Sequence, residues 1–173
     1  MSAQRLESKR LLLLPWDSAD WLSFKPIATD PAVMRYIANG DPWPDEKIVE
    51  FVEQQQRHLQ ERGFCLWKLV TKDGGRLAGF CGLQPLDDLP GVEIGWWLAQ
   101  GLWGQGLATE AARIALEDGF GRLGVSRIVA MALRDNVNST HVMEMLGMRY
   151  ESDVMHHGFP VVLYSFEKKT IRS

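Results

Sequence analysis

The stretch that decides the fold covers residues 92–98 and 101–110, with the sequences VEIGWWL and GLWGQGLATE. The first part predicts a buried strand, because apolar residues dominate it and a glycine-spaced loop follows it. The second part predicts a helix that begins just after Gly104 and Gly106. Such a helix start exposes unpaired backbone N–H groups at the positive end of the helix dipole, where phosphate groups bind. The same glycines could instead serve only a tight turn.

Two common phosphate-loop motifs do not match this stretch. A nucleoside-triphosphate loop requires a lysine and then Ser or Thr directly after its last glycine, whereas Leu107, Ala108 and Thr109 follow Gly106 here. A dinucleotide-binding loop requires a third glycine three residues after the second, and Thr109 occupies that position. Coenzyme A is the phosphate ligand that remains.

Three ordered stretches resemble the GNAT family of acyl-CoA-dependent N-acyltransferases. The family's pyrophosphate loop has the form Arg/Gln-x-x-Gly-x-Gly/Ala, and residues 103–108 match it except at the first position, which is Trp103. The sequence of this loop resembles that of the RimJ/RimL-like branch of ribosomal-protein N-terminal acetyltransferases. The other two stretches that resemble that branch are residues 6–16 with Asp20 behind them, and residues 135–139 leading to 144–148.

The resemblance implies acetyl-CoA as co-substrate and no metal. It also implies which residues contact the coenzyme, and these come from the end of the strand, the loop and a later helix start. The predicted cofactor-binding residues are Trp97, Leu98, Trp103, Gly104, Gln105, Gly106, Leu107, Ala108, Thr109, Asn136 and Ser139. Because Trp103 cannot donate as Arg would, the phosphates would depend on backbone N–H groups and the helix dipole.

Glu93 is the predicted catalytic base. It is the only charged residue in strand 92–98, and burying an unpaired carboxylate is costly. Period-two alternation places Glu93 and Trp97 on one face of the strand and Trp96 on the other. The resemblance implies a bulge that splays this strand from strand 126–133 and a glutamate that acts as base through a water. The alternative is a structural carboxylate hydrogen-bonded to Arg or Trp on a neighbouring strand.

Asn136 and Ser139 form a second predicted constellation. Their spacing at a helix start is a capping pattern. The resemblance adds that Asn136 contacts the pantetheine or acyl carbonyl and that Ser139 lies near the leaving thiol. Many relatives carry a tyrosine acid one helical turn after this serine, where this chain has Met143. Ser139, or a water it holds, is therefore the candidate acid, and capping alone is the alternative.

The predicted substrate-binding residues are Trp43, His156 and His157. Trp43 lies in a turn rich in Gly and Pro, and the two histidines precede Gly158 between the last two strands, where the family shapes its acceptor pocket. Core packing is the default role of tryptophan. The four histidines of the chain lack metal-ligand spacing, so no metal site is expected.

Composition narrows the class of protein. The 173 residues predict one domain, 1–173, and 46% hydrophobic with 24% charged residues is typical of a globular protein. A net charge of −3 without a basic cluster argues against nucleic-acid binding. Apolar runs are too short for a membrane helix and no signal peptide is evident. Cys65 and Cys81 lack metal spacing, so we expect reduced thiols and a cytoplasmic location.

The pattern of elements predicts an α+β (α/β) fold. We expect a GNAT-like mixed, mostly antiparallel central sheet of six to seven strands with helices on both faces. A right-handed parallel crossover should join strand 92–98 to strand 126–133 through helix 105–122. Ser18 is a plausible cap for a short helix ending near Phe24. Edge strands near the C-terminus could pair between subunits in a homodimer.

The predicted function is transfer of an acetyl group from acetyl-CoA to a primary amine by direct attack in a ternary complex. A protein or peptide N-terminal α-amine is favoured, because at neutral pH it has roughly 400-fold more of the reactive neutral form than lysine. The alternatives are a small-molecule acetyltransferase acting on an aminoglycoside, polyamine or amino acid, and a non-catalytic acyl-CoA sensor or assembly module. Met143 in place of a tyrosine is the main support for the sensor.

Overall fold

A computed structural model describes residues 4–87, 89 and 91–168. The described part contains one sheet and five α-helices. In chain order the elements are β1 Leu6–Glu7, β2 Leu11–Leu14, α1 Asp20–Ala28, α2 Pro31–Met34, α3 Asp45–Arg62, β3 Leu66–Thr71, β4 Leu77–Pro85, β5 Val92–Leu98, α4 Leu107–Phe120, β6 Arg127–Ala132, α5 Val137–Met145, β7 Arg149–His156 and β8 Phe159–Glu167.

The sheet has eight strands in the order β1-β2-β3-β4-β5-β6-β8-β7. Only β5 and β6 run parallel, and all other neighbours are antiparallel. The mixed, mostly antiparallel sheet and the parallel crossover are therefore confirmed. The number of strands exceeds the expected six to seven because Leu6 and Glu7 add a short strand beside β2. A strand of two residues is too short to show an alternating pattern in the sequence. β7 is an edge strand, and subunit pairing there remains a prediction.

Two apolar cores lie on opposite sides of the sheet. The first core joins the sheet to α4 and α5, and the second joins it to α1, α2 and α3. On α4 the side chains of Ala111, Ala112 and Ala115 are at most 1% exposed, which confirms that small residues let this helix lie close to the sheet. At Gly119 an added Cβ would come within 2.8 Å of Ile128 and Leu83. Helices on both faces are thus built from separate apolar stripes.

The central strand β5 keeps strict alternation. Its pairing with β4 runs in one unbroken register, from Val92 opposite Pro85 to Leu98 opposite Gly79. The predicted bulge in this strand is therefore wrong. The predicted separation from β6 exists all the same, because the two strands pair in register only at Val92 and Glu93. Early termination of the parallel ladder, rather than an inserted residue, opens the sheet.

The N-terminal helices differ from their sequence-based prediction. Ser18 does not cap α1, which begins at Asp20 after Ala19 and has no side-chain cap. The helix also continues past Pro26 to Ala28, because Phe24 and Ala28 are fully buried in the second core and this packing outweighs the cost of an internal proline. By contrast, Asp30 caps α2, with its carboxylate accepting from Ala32 N at 2.9 Å. Among the described residues, no helix combines the length and apolar character needed to cross a membrane.

Candidate active site

The glycine loop before α4 adopts the conformation that its sequence requires. Gly104 and Gly106 both have φ of +76°, in the left-handed region that side chains with a Cβ rarely adopt. Gly106 is the N-cap of α4 and provides no capping side chain. The first intrahelical bond runs from Glu110 N to Gly106 O at 3.0 Å. The N–H groups of residues 107–109 therefore lack intrahelical acceptors, and the exposed loop presents them to an anion.

Trp103 fastens this loop to the end of β5. Its indole N–H donates to the backbone oxygen of Leu98 at 2.7 Å, and 40% of the residue stays exposed. The N–H that could have reached a phosphate is thus already engaged within the protein. Any contact between Trp103 and the coenzyme would involve its ring. The hydrogen bond from its indole N–H holds the loop in position against the end of β5.

A cation that the sequence prediction missed lies beside the loop. The guanidinium of Arg10 bonds through Nε to Glu110 at 2.8 Å, and the Arg10 backbone N–H and the Ser8 hydroxyl donate to the same carboxylate at 2.9 and 2.5 Å. A terminal nitrogen of Arg10 lies 3.7 Å from where a Cβ would stand on Gly106. Arg10 and Glu110 are 100 residues apart, so no local pattern could have joined them.

The Glu110 carboxylate stabilises this arrangement when it is ionised. Burial alone would raise the pKa of Glu110, but the hydrogen bonds from Ser8 and Arg10 and the charge of Arg10 outweigh burial and lower the pKa. The carboxylate therefore stays ionised at neutral pH and orients Arg10. The two terminal nitrogens of Arg10 have no protein acceptor among the residues that the structure describes, which leaves them available to a phosphate.

One cleft opens where β5 and β6 part, and it has a volume of about 390 Å³. Both apolar cores contribute to its walls, so the cleft passes through the sheet. It brings together seven of the residues predicted as catalytic, substrate-binding or cofactor-binding: Trp43, Glu93, Trp97, Asn136, Ser139, His156 and His157. Leu98 and the loop 103–109 do not line it; they lie at and beyond the C-terminal end of β5.

Glu93 lies half-buried in this cleft. The side-chain amide of Gln84, directly opposite on β4, donates to Glu93 Oε2 at 3.3 Å. The structural alternative named Arg or Trp as a partner, and the amide of Gln84 is one partner that it did not name. A carboxylate at this position can accept a proton, directly or through a water, from a group bound in the cleft.

Asn136 and Ser139 take part in the cap of α5 and also line the cleft. The Asn136 side chain accepts a hydrogen bond from Ser139 N at 3.3 Å and so caps α5, which confirms the capping pattern. Both residues also line the cleft, together with Met143 one turn further along the helix. Met143 is 1% exposed and its thioether has no proton to give. The Ser139 hydroxyl is thus the proton-bearing group that α5 contributes to the cleft.

The predicted acceptor residues line one cleft, although Trp43 is far from His156 and His157 in sequence. The ring centroids of Trp43 and Trp97 are 4.7 Å apart. The rings of His156 and His157 lie 4.0 Å apart at the β7–β8 turn, and His157 has a positive φ of 48°. Sequence analysis missed the other aromatic residues of the cleft, because their helical or strand periodicity predicted only core positions: Tyr36, Phe51, Phe80, Trp96 and Phe159.

Two other kinds of site find no support in the described ranges. No cluster of three or more His, Cys, Asp or Glu side chains that could hold a metal occurs among those residues. Cys65 and Cys81 are free and buried, and burial raises the pKa of the Cys65 thiol to about 12. Both cysteines are therefore inert core residues at neutral pH.

Comparison with known proteins agrees with this geometry. The family model described as an acetyltransferase (GNAT) domain matches residues 10–149. The uncharacterized protein YkkB of Bacillus subtilis is 31% identical over 140 residues, covering 80% of each chain. The uncharacterized N-acetyltransferase YnaD of the same organism is 30% identical over 146 residues, covering 84% of this chain and 83% of YnaD. Spermidine N(1)-acetyltransferase of Escherichia coli K12 is 25% identical, covering 85% and 77%.

Solved structures give the same result. An acetyltransferase of the GNAT family from Bacillus anthracis superposes with a TM-score of 0.81 at 25% identity, covering 95% of this chain and 98% of that one. RimL, the ribosomal L7/L12 α-N-protein acetyltransferase in complex with coenzyme A, superposes with a TM-score of 0.78 at 17% identity, covering 95% and 98%; this second likeness concerns the fold alone. The chain therefore belongs to the GNAT family and is an acetyl-CoA-dependent acetyltransferase.

Proposed function

We propose that this acetyltransferase moves the acetyl group of acetyl-CoA to the N-terminal α-amine of a protein or peptide, as a member of the RimJ/RimL-like branch. The amine would attack the thioester carbonyl directly while both substrates occupy the cleft. The observation that carries the proposal is the convergence of Glu93, Asn136 and Ser139 on the single cleft between β5 and β6.

The loop end of the site supplies what a diphosphate requires. The open N–H groups belong to the start of α4 directly after Gly106, and a terminal nitrogen of Arg10 lies 3.7 Å from the Cβ position of the same glycine. Backbone donors at a helix N-terminus bind phosphate oxygens, and an arginine adds charge-assisted hydrogen bonds. Arg10, from the turn between β1 and β2, would thus take over the cationic role that Trp103 cannot fill in the loop motif.

The chemical end of the site supplies a base and an acid. Glu93 would remove a proton from the attacking amine, through a water if the distance requires it. The Ser139 hydroxyl would protonate the departing thiolate. Beyond Glu93 the edge of β5 that faces β6 has no registered partner, so a main-chain N–H there is available to stabilise the oxyanion. Asn136 would hold the acyl or pantetheine carbonyl.

The lower basicity of an α-amine favours it over lysine, because more of it is neutral and reactive at neutral pH. The half-buried carboxylate of Glu93 then has less deprotonation to perform. RimL, which has the same fold, is an α-N-protein acetyltransferase of ribosomal L7/L12. A polyamine is the second candidate, because one relative is a spermidine acetyltransferase. The two free buried cysteines support a reducing compartment, the cytoplasm, as the site of action.

Calorimetry and thiol release test the proposal together. Titration with coenzyme A and acetyl-CoA should give heat with the folded protein. Release of thiol from acetyl-CoA should then rise when peptides with free N-termini are added, and the same peptides with blocked N-termini are the control. Binding without stimulation by any peptide, polyamine or aminoglycoside would favour the non-catalytic sensor, and absence of binding would refute the coenzyme site itself.

A further inference from the structure

The part of the cleft on the α1–α3 side is a continuous aromatic surface. Alternation along β5 sends Trp97 to the second core, where its ring centroid lies 5.0 Å from that of Phe80 and 4.7 Å from that of Trp43. Phe51 closes the group, 5.1 Å from Phe80 and 5.6 Å from Trp43. We call these four residues, Trp43, Phe51, Phe80 and Trp97, the aromatic wall. All four line the cleft.

The aromatic wall faces the acceptor rather than the coenzyme. The glycine loop and α4 pack on the first core, on the opposite side of the sheet. The wall belongs to the second core and lies on the same face of β5 as Glu93, because residues 93 and 97 are four apart in a strand of period two. A molecule whose amine reaches Glu93 from this side must place its body against the wall.

Charge in the cleft is confined to one place. Among the described residues that line it, Glu93 is the only carboxylate, no Lys or Arg contributes, and His156 and His157 are the other titratable groups of basic type. A polyamine would pair one ammonium with Glu93 and leave the others against the wall without a carboxylate. Burying such uncompensated charges is unfavourable.

Cation–π contacts could compensate a second ammonium, but the Trp43 ring already has a cation over it. The Lys47 ammonium lies over Trp43 at 4.9 Å from the ring centroid, and cation–π attraction requires the cation to stand over a ring face. Phe51 and Phe80 are at most 8% exposed and support the two partly exposed rings of the wall, Trp43 and Trp97. These two rings suit an apolar body, which gains from leaving water and from offset contact with them.

We infer that the preferred acceptor is a monoamine whose amino group is carried next to a bulky apolar body, such as an N-terminal residue with an aromatic or large aliphatic side chain. This inference rests on the proposed function, because it names the acceptor of the same site. A free arylalkylamine has the same chemistry without a peptide. Polyamines are the acceptors that the cleft disfavours.

Acceptor specificity, measured as kcat/KM for thiol release from acetyl-CoA, tests the inference. The panel comprises tripeptides that differ only in the first residue (Phe, Leu, Gly or Asp), phenethylamine and spermidine. We expect the Phe and Leu peptides to exceed the Gly peptide by about tenfold or more, as hydrophobic pockets discriminate, and spermidine to rank lowest. Activity with phenethylamine near that with the Phe peptide would show that the apolar body suffices. Much lower activity with phenethylamine would show that the peptide backbone is recognised too. Both results support the preference for an apolar acceptor.

A variant links the preference to the wall. Trp43→Ala should lower the ratio of kcat/KM for the Phe peptide to kcat/KM for the Gly peptide by about tenfold. Leu22→Ala is the matched control, because Leu22 is 60% exposed and does not line the cleft. Preference for the Asp peptide in the wild-type protein would overturn the inference while the proposed acetylation of α-amines stands, and preference for spermidine would overturn both. Failure of every amine with intact coenzyme binding would overturn both, and neither result depends on the variant folding.

Discussion

The two ends of the site are built in different ways. The end proposed to bind the coenzyme depends mainly on backbone: two glycines with positive φ and the first turn of α4, all within seven consecutive residues from 104 to 110. The end proposed to bind the acceptor depends on side chains from a turn, a helix and two strands, namely Trp43, Phe51, Phe80 and Trp97. A site made of local backbone can be recognised in a sequence, whereas a site made of converging side chains looks like ordinary core.

The largest effect is expected at the backbone end. Gly106→Val places a β-branched residue at φ +76°, a conformation that such residues avoid, so the loop must rearrange and lose its donors. The dissociation constant of coenzyme A should rise by more than about a hundredfold, since several hydrogen bonds to a charged group are lost together. Calorimetry measures it. Gly101→Val is the control, because a Cβ there meets nothing within 4 Å; unchanged affinity of the Gly106 variant would exclude the loop as the diphosphate site.

Glu93, where the two ends meet, should show the next largest effect. Glu93→Gln keeps the shape and the contact with Gln84 but removes the base, so kcat should fall by about a hundredfold, mainly at low pH where the amine is protonated. Coenzyme binding should not change. Steady-state kinetics across pH measure the effect, with the exposed Glu50→Gln as control. An unaltered pH profile would remove Glu93 as the base.

Arg10 should contribute a smaller, purely electrostatic effect to the coenzyme end. Arg10→Gln should raise the dissociation constant of coenzyme A by about tenfold, because a charge-assisted contact is lost, and the loss should shrink at high salt. Lys25→Gln is a matched control, since Lys25 is also about half exposed and paired to a carboxylate. Equal affinity of the two variants would show that Arg10 only supports Glu110.

The smallest effect concerns stability and pH. The pKa of Glu110 is lowered in the folded protein, so its stabilisation is fully present above the ordinary glutamate pKa and is lost as pH falls through the lower folded pKa. Glu110→Gln should therefore lower Tm by a few degrees at pH 7 and by less at pH 3. Thermal unfolding at both pH values measures this, with exposed Glu53→Gln as control. A Tm difference that is independent of pH would mean that packing, and not charge, is lost.

Sequence patterns predicted the elements around the site well where the signals are local. The strand Val92–Leu98, the helix after Gly106 and the cap at Asn136 all occur as expected. The predictions failed where packing between distant residues decides. Burial of Phe24 carries α1 past a proline, and β5 needs no bulge because its pairing with β6 stops after two residues, although β6 itself continues to Ala132. Propensity and spacing carry no information about either event.

The sequence by itself determined the positive-φ loop, the open helix start and the single carboxylate in an apolar strand, because each depends on residues within one turn or one strand of each other. Only the tertiary structure placed the guanidinium of Arg10 beside the glycine loop, since Glu110 must reach it across 100 residues. The tertiary structure likewise brought Phe51 and Phe80, which the sequence indicated only as core residues, together with Trp43 and Trp97 in one wall. Their shared cleft exists because two parallel strands part after two registered pairs, and that parting is a property of the assembled sheet.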